Sequence, residues 1–348
     1  MPFQNGLKLT HYPLPCSLAP CISYTDSMFR YTVKAISLRV VLPAAGLVCL
    51  ALLSQPAHAW EQEGHRIINK VAASNLPADV PAFLRSQAAI DEIEYLGPEP
   101  DRWRSRAEPE LGAAQAPEHF IDFEAADALG ALPHKRLDFE AKVFAAGLRP
   151  EVIGLQPWEA DEVWERLKAA MRQYRAMVAT GPGANVDTKP GANADTKPVE
   201  AAILFYAGWL GHYVGDGSQP LHVTVKYNGW VGANPSGYTT GHQIHHLFEG
   251  PFVAANIHAP DVQARMTPVK LIEGDMFDAY VAYLRHTGTY VEKVYQFEKA
   301  GAFIGAGTPD SRDFTTARLA DGASMLRDMI YTAWIDSAQP VPERYNGQ

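Results

Sequence analysis

The stretch from Gly211 to His222 reads GHYVGDGSQPLH, placing His212 and Asp216 four residues apart at the end of an apolar run, with His222 six residues further on. Residues four apart on a helix share a face, with Cβ atoms roughly 5–6 Å apart. Imidazole with carboxylate is a donor set that suits zinc. Pro220 breaks the helix and lets His222 turn back toward the pair. A second i, i+4 pair, His245 and Glu249, lies in HQIHHLFEG. His242 and His246 offer a rival spacing there; His245 is preferred because Glu249 then falls on its face. Upstream, His65 stands five residues after Trp60, Asp101 lies in PEPDRWR and His119 in PEHFIDFE. Five imidazoles and three carboxylates, joined by a free α-amino group if Trp60 begins the mature chain, are more donors than one zinc uses. More than one metal ion is implied.

These residues need a scaffold, and the sequence reads as all-α. Apolar residues recur at helical spacing in Ile67, Ile68 and Val71, and again from Trp158 to Tyr174. Ala201 to Val214 is apolar almost all round, and later sets run over Met276–Leu284, Val291–Phe297 and Ala317–Trp334. Strand-like alternation is scarce, although Val223 to Tyr227 before Asn228-Gly229 predicts a short extended piece. GANVDTKP (183–190) is nearly repeated as GANADTKP (191–198), so 181–198 reads as a flexible polar loop between two helices.

Export is expected. Arg30, Lys34 and Arg39 precede an apolar stretch from Val40 to Leu53, and Ala57-His58-Ala59 is a small-x-small cleavage site, so residues 1–59 read as a signal peptide, with Met28 a candidate true start. About 14 apolar residues are too few to span a bilayer core of roughly 30 Å. Residues 60–348 are then a single domain of 289 residues, secreted or periplasmic, with no stable membrane anchor after cleavage and monomeric. All three cysteines (Cys16, Cys21, Cys49) precede Trp60, so stability comes from packing and metal rather than disulfides. Removing four basic and one acidic residue from totals of 30 and 39 leaves 26 against 38, a net charge of −12. That excludes a broad nucleic-acid scaffold but not a local site for a phosphodiester.

The motif set resembles one superfamily: the secreted single-strand-specific nucleases with 3'-nucleotidase activity together with the bacterial zinc-dependent phospholipases C, which share an all-α, three-zinc fold. H-x3-D-x5-H and the N-terminal tryptophan carry the resemblance, which runs from Trp60 to Glu249, about two thirds of the mature chain. It implies that Asp101, His119, His212 and Asp216 hold one zinc. Trp60 (amino nitrogen and carbonyl oxygen), His65 and a bridging Asp216 would hold a second, and His222, His245 and Glu249 the third. The implied activity is hydrolysis of phosphate ester bonds, with Asp101, Arg104 and Asp216 catalytic. Two zinc ions roughly 3.5–4 Å apart can share a hydroxide that attacks phosphorus.

By the same resemblance Arg104 would steady the phosphate and Phe120 and Asp122 would bind substrate. Arg104 also reads as a surface salt bridge, Phe120 as core, and Asp122 as a positioner of a ligand histidine. The step from Trp60 to His65 and the presence of Arg104 are nuclease-like; Glu249 and the lack of cysteines are phospholipase-like. YNGWVGANPSGYTT replaces the nucleases' asparagine-rich motif, and its Trp230 and Tyr238 are candidates for lining a substrate cleft. The leading expectation is a zinc phosphodiesterase of the nuclease (endonuclease and 3'-nucleotidase) kind acting on single-stranded nucleic acid or nucleotides. A phospholipase C acting on glycerophospholipids is the alternative, and a non-catalytic periplasmic zinc-binding protein the reading from another class. His134, His258 and His286 carry no motif and read as solvated or structural.

Overall fold

A helix that is apolar on nearly every side has to be surrounded, and the segment from Lys197 to Ser218 is. In the computed structural model, which describes residues 60–178 and 195–340, the chain runs α1 (Glu61–Ser74), α2 (Gln87–Leu96), α3 (Glu99–Trp103), α4 (Pro109–Gln115), α5 (Phe123–Ala128), α6 (Arg136–Ala145), α7 (Gln156–Val178), α8 (Lys197–Ser218), α9 (Ile244–Glu249), α10 (Pro251–Asn256), α11 (Ala259–Gln263), α12 (Met276–Gly288), α13 (Val291–Lys299) and α14 (Pro309–Asp336). All described residues fall within one compact unit, Gln55–Gln348. The fold is all-α: among the described residues no strand forms, and a single antiparallel bridge joins Ile121 to Gly154. No described helix is long and apolar enough to cross a membrane.

Each of the six helical patterns falls within a helix. Around α8 pack α7, α14, α2 and α1. The close approach of α1 depends on glycine: a Cβ at position 211 would lie 2.0 Å from Asn69 Oδ1, and one at position 215 would lie 2.9 Å from His65 Nδ1. Buried Asn69 exploits that gap, donating through Nδ2 to the carbonyls of Ile93 (2.9 Å) and Gly208 (3.0 Å), so one amide ties α1, α2 and α8 together.

Two expectations are corrected. Val223 to Tyr227 is bend and turn rather than extended. The Glu124 carboxylate holds it so, accepting from Thr224 Oγ1 at 2.6 Å and from the Val225 amide at 3.2 Å, which folds the segment over α5. Lys197 and Pro198, the last residues of the second octapeptide copy, form the first turn of α8, where proline's fixed φ suits the helix start. Residues 181–194 of the expected loop lie outside the described residues, as does the expected signal segment 1–59.

Candidate metal centre

The site is built around the C-terminal end of α8. His212 and Asp216 leave the helix on one face, α8 stops at Ser218, and Gln219 caps a 3-10 turn, Pro220–His222, by accepting from the Leu221 amide at 2.6 Å. That turn brings His222 back beside Asp216, with His222 Nδ1 3.9 Å from Asp216 Oδ1. From below, α1 delivers His65; α3 delivers Asp101 and a 3-10 turn, Ala116–His119, delivers His119. His245 and Glu249 come from α9. All eight side chains are buried.

Eight of the nine residues expected as ligands thus converge through their side chains, in three groups of possible metal donors, two of which share His212. In the first, His212 Nε2 lies 2.9 Å from His119 Nδ1 and 3.4 Å from Asp216 Oδ2; His119 Nδ1 lies 3.2 Å from Asp216 Oδ2; Asp101 Oδ1 lies 3.8 Å from His119 Nδ1 and 4.0 Å from His212 Nε2. A tetrahedron with its centre about 2.0–2.1 Å from N and O donors has edges of roughly 3.3 Å, close to this set. The second oxygen of Asp216 faces elsewhere, 3.3 Å from His65 Nε2. In the last group His245 Nε2 lies 3.1 Å from His222 Nε2 and 2.9 Å from Glu249 Oε2, and Gln219 Nε2 donates to that same Glu249 oxygen at 3.0 Å.

The hydrogen-bond partners of the rings decide what these contacts mean. His212 Nδ1 faces the Gly97 carbonyl at 2.9 Å, His222 Nδ1 the His119 carbonyl at 2.6 Å, and His245 Nδ1 the Tyr227 carbonyl at 3.0 Å. A carbonyl only accepts, so each Nδ1 carries a proton, and in its neutral form each ring turns a bare Nε2 inward. Two such lone pairs, on His222 and His245, then face one another at 3.1 Å. They repel unless a cation lies between them.

Without metal, a proton takes that part. Burial opposes charging His222, yet Asp216 and Glu249 overcome it and raise its pKa to about 9. His119 and His212 are pushed below the ordinary histidine range, in both cases chiefly by burial. Burial works against the ionised carboxylates too, but His212 and His222 hold Asp216 well below the usual carboxylate range and His245 and His222 lower Glu249. Buried Asp216 Oδ1, Glu249 Oε1, His119 Nε2 and both ring nitrogens of His65 make no hydrogen bond. Buried polar atoms are rarely left so. The donor set fits divalent cations.

Trp60 contributes differently. Its indole is buried, with Nε1 donating to the Gly215 carbonyl at 2.8 Å and to Ser218 Oγ at 2.9 Å, so the side chain clamps the end of α8. Its carbonyl accepts from the Gly64 amide at 3.0 Å, opening α1. Of the rival histidines, His242 and His246 are exposed; His246 Nδ1 pairs with Glu61 at 2.9 Å.

An open cavity of about 580 Å³ abuts the cluster, lined by His119, His222 and His245 and also by Arg104, Phe120 and Asp122. Arg104 Nη1 lies 3.5 Å from Asp101 Oδ1. Phe120–Asp122 is held as a wall by the bridge to Gly154, whose φ of 91° and a would-be Cβ 2.0 Å from the Phe120 carbonyl admit only glycine. Burial first, then Glu124, push Asp122 up to about 7 against the pull of His222. Glu151, Val152, Tyr227 and Asn228 also line the cavity, and the sequence did not single them out for it. They come from a 3-10 turn and a tight turn, which carry no periodic signal; Asn228-Gly229 was the available hint. Trp230 and Tyr238 do not line this cavity. Trp230 packs at 4.8 Å from Tyr238 and 5.1 Å from Tyr295 and borders a separate groove, while Tyr238 is buried with its hydroxyl on Glu292.

No protein-family model matches the chain, and no curated protein matches it in sequence. Among solved structures, the alpha toxin from Clostridium absonum aligns with a TM-score of 0.38 and 12% identity, over 81% of this chain and 67% of that one.

Proposed function

We propose that this protein is a metal-dependent hydrolase of phosphate esters. The observation that carries the proposal is the facing pair of imidazole nitrogens, His222 Nε2 and His245 Nε2, 3.1 Å apart beside the Glu249 carboxylate at one end of a cavity. Asp101, His119, His212 and Asp216 would hold one zinc-like ion and His222, His245 and Glu249 another. His65 with the second Asp216 oxygen, joined after cleavage by the Trp60 amine, would hold a third. Such ions, when bound, supply Lewis acidity: they make water acidic near neutral pH and draw charge from phosphoryl oxygens. The chain's own groups do the positioning. The backbone carbonyls of Gly97, His119 and Tyr227 fix three rings in one tautomer. Arg104 offers the cavity a guanidinium fork that matches two phosphoryl oxygens, and Asp101 steadies it.

The walls bear on the substrate. Arg104 is the one lysine or arginine among the described lining residues, whereas Asp122 and Glu151 are both acidic. The adjoining groove carries Lys226 and Arg285, each already paired, with Glu124 at 3.2 Å and Asp127 at 2.7 Å. A polynucleotide needs cations for the phosphates flanking the scissile one. This cavity instead suits a substrate with one phosphate and a neutral or cationic remainder, packed against Phe120 and Tyr227, as a glycerophospholipid headgroup has. Nucleotide hydrolysis is the second reading, favoured by Phe120 and Asp122 standing together beside Arg104. The test is elemental analysis of the purified protein, then turnover of bis(p-nitrophenyl) phosphate, phosphatidylcholine, a 3'-nucleotide and single-stranded DNA in parallel. Metal with lipid turnover supports the proposal; DNA or nucleotide turnover alone transfers it to the second reading; bound metal with no turnover of any ester sinks it.

A further inference from the structure

Helix α6 is amphipathic in an unusual sense. Its inner face buries Phe139 and Val143, with Phe139 stacked 4.1 Å from Trp158, so the helix is firmly seated. Its outer face is also apolar. Leu137 is 75% exposed and Phe144 60%, at positions i and i+7 with exposed Ala141 between them. That spacing makes one stripe along a helix about 15 Å long. Beyond Gly147, which turns the chain at φ 73°, Leu148 is 40% exposed and Val152, which lines the cavity, is 59% exposed. Tyr227, 53% exposed, lines the same cavity. Exposed apolar residues on a helix and on the segment leading from it into the lining of a site mark an interaction surface.

We propose that the outer face of α6, with Val152 and Tyr227, seats the cavity mouth on a lipid surface. The inference rests on the phospholipid reading above. Its occupant follows from position: a protein partner or second copy covering Val152 and Tyr227 would close the mouth, whereas a lipid layer both covers the stripe and presents the substrate to it. The nearby charges agree. Exposed Lys135 and Arg149 are offset by exposed Asp138 and Glu151, with Arg149 paired to Glu151 at 2.6 Å. The near-neutral surround of an acidic protein fits zwitterionic lipid better than anionic lipid.

The test is co-sedimentation of the purified protein with phosphatidylcholine vesicles, comparing it with the double variant Leu137→Ser, Phe144→Ser. Losing two exposed apolar anchors should weaken vesicle binding by roughly tenfold or more. Turnover of bis(p-nitrophenyl) phosphate and of short-chain phosphatidylcholine below its micellar concentration should not change. A second variant, Phe144→Trp, guards against misfolding: brominated phosphatidylcholine should quench its added fluorescence. Unchanged vesicle binding in the double variant, or no quenching in Phe144→Trp beyond that of the parent, overturns the proposal. So does a switch from dimer to monomer in light scattering, which would make the stripe a self-interface. Absence of turnover on every ester strikes the hydrolase reading instead, because vesicle binding is read without it.

Discussion

Gln219 donates to Glu249 Oε2 across 3.0 Å while its own Oε1 accepts from the Leu221 amide at 2.6 Å. One uncharged side chain thus aims a carboxylate from α9 and closes the turn that carries His222. Outer partners of this kind typically tune metal affinity 10- to 100-fold. Gln219→Ala should weaken metal binding by about that factor and leave helix content unchanged. Competition with a chromophoric chelator measures it; unaltered affinity would show that Glu249 needs no such support.

Asp101 on α3 and Arg104, just past its end, stand three residues apart with Nη1 and Oδ1 at 3.5 Å. Lysine keeps the charge but loses the planar fork. Arg104→Lys should lower kcat on phosphate esters by roughly 10- to 100-fold with metal content intact, since losing an oriented donor costs on this order. Wild-type kcat in that variant would remove Arg104 from the site. Asp101→Asn, by contrast, should lose both metal and turnover.

His222 makes the metal-free protein sensitive to alkali. Its folded pKa of about 9 lies above the ordinary 6.5, so its contribution to stability is complete below pH 6.5 and is lost as pH rises through 9. The loss should be on the order of 3 kcal/mol. Thermal melts of chelator-stripped protein should fall across that window, and bound metal, displacing the proton, should flatten the curve. A flat profile without metal would count against the protonated cluster.

Gly211 on α8 lies directly against Asn69 of α1. Gly211→Ala would put a methyl group 2.0 Å from Asn69 Oδ1, and Asn69 has no room to yield without dropping its bonds to Ile93 and Gly208. Overpacking of this sort costs about 1–3 kcal/mol. Denaturant midpoints report it directly, and a neutral result would mean that α1 can slide.

How much of this was legible in sequence depends on how each part is built. The helices declared themselves because burial of α8 and the stripes of α1, α7 and α14 impose a period. The His212–Asp216 and His245–Glu249 pairs declared themselves because helix geometry converts a spacing of four into one face. Asp101 and His119 are brought in by a five-residue helix and a 3-10 turn, where only their neighbouring motifs drew attention. The cavity wall stayed hidden: Glu151, Val152 and Tyr227 reach it through turns fixed by long-range bonds such as Ile121 to His222 at 2.9 Å and Glu124 to Thr224. Trp230 misled for the same reason, since aromatic character alone does not say which groove a loop faces.

Asp216 presents one oxygen to His119 and His212 and the other to His65. A shared carboxylate makes neighbouring cation positions interdependent: an ion on one side draws electron density from the other, while fixing the side chain for both. Loading is therefore expected to follow a stepped course, with partly filled species whose affinities differ, and stripping one ion will disturb the residence of the next.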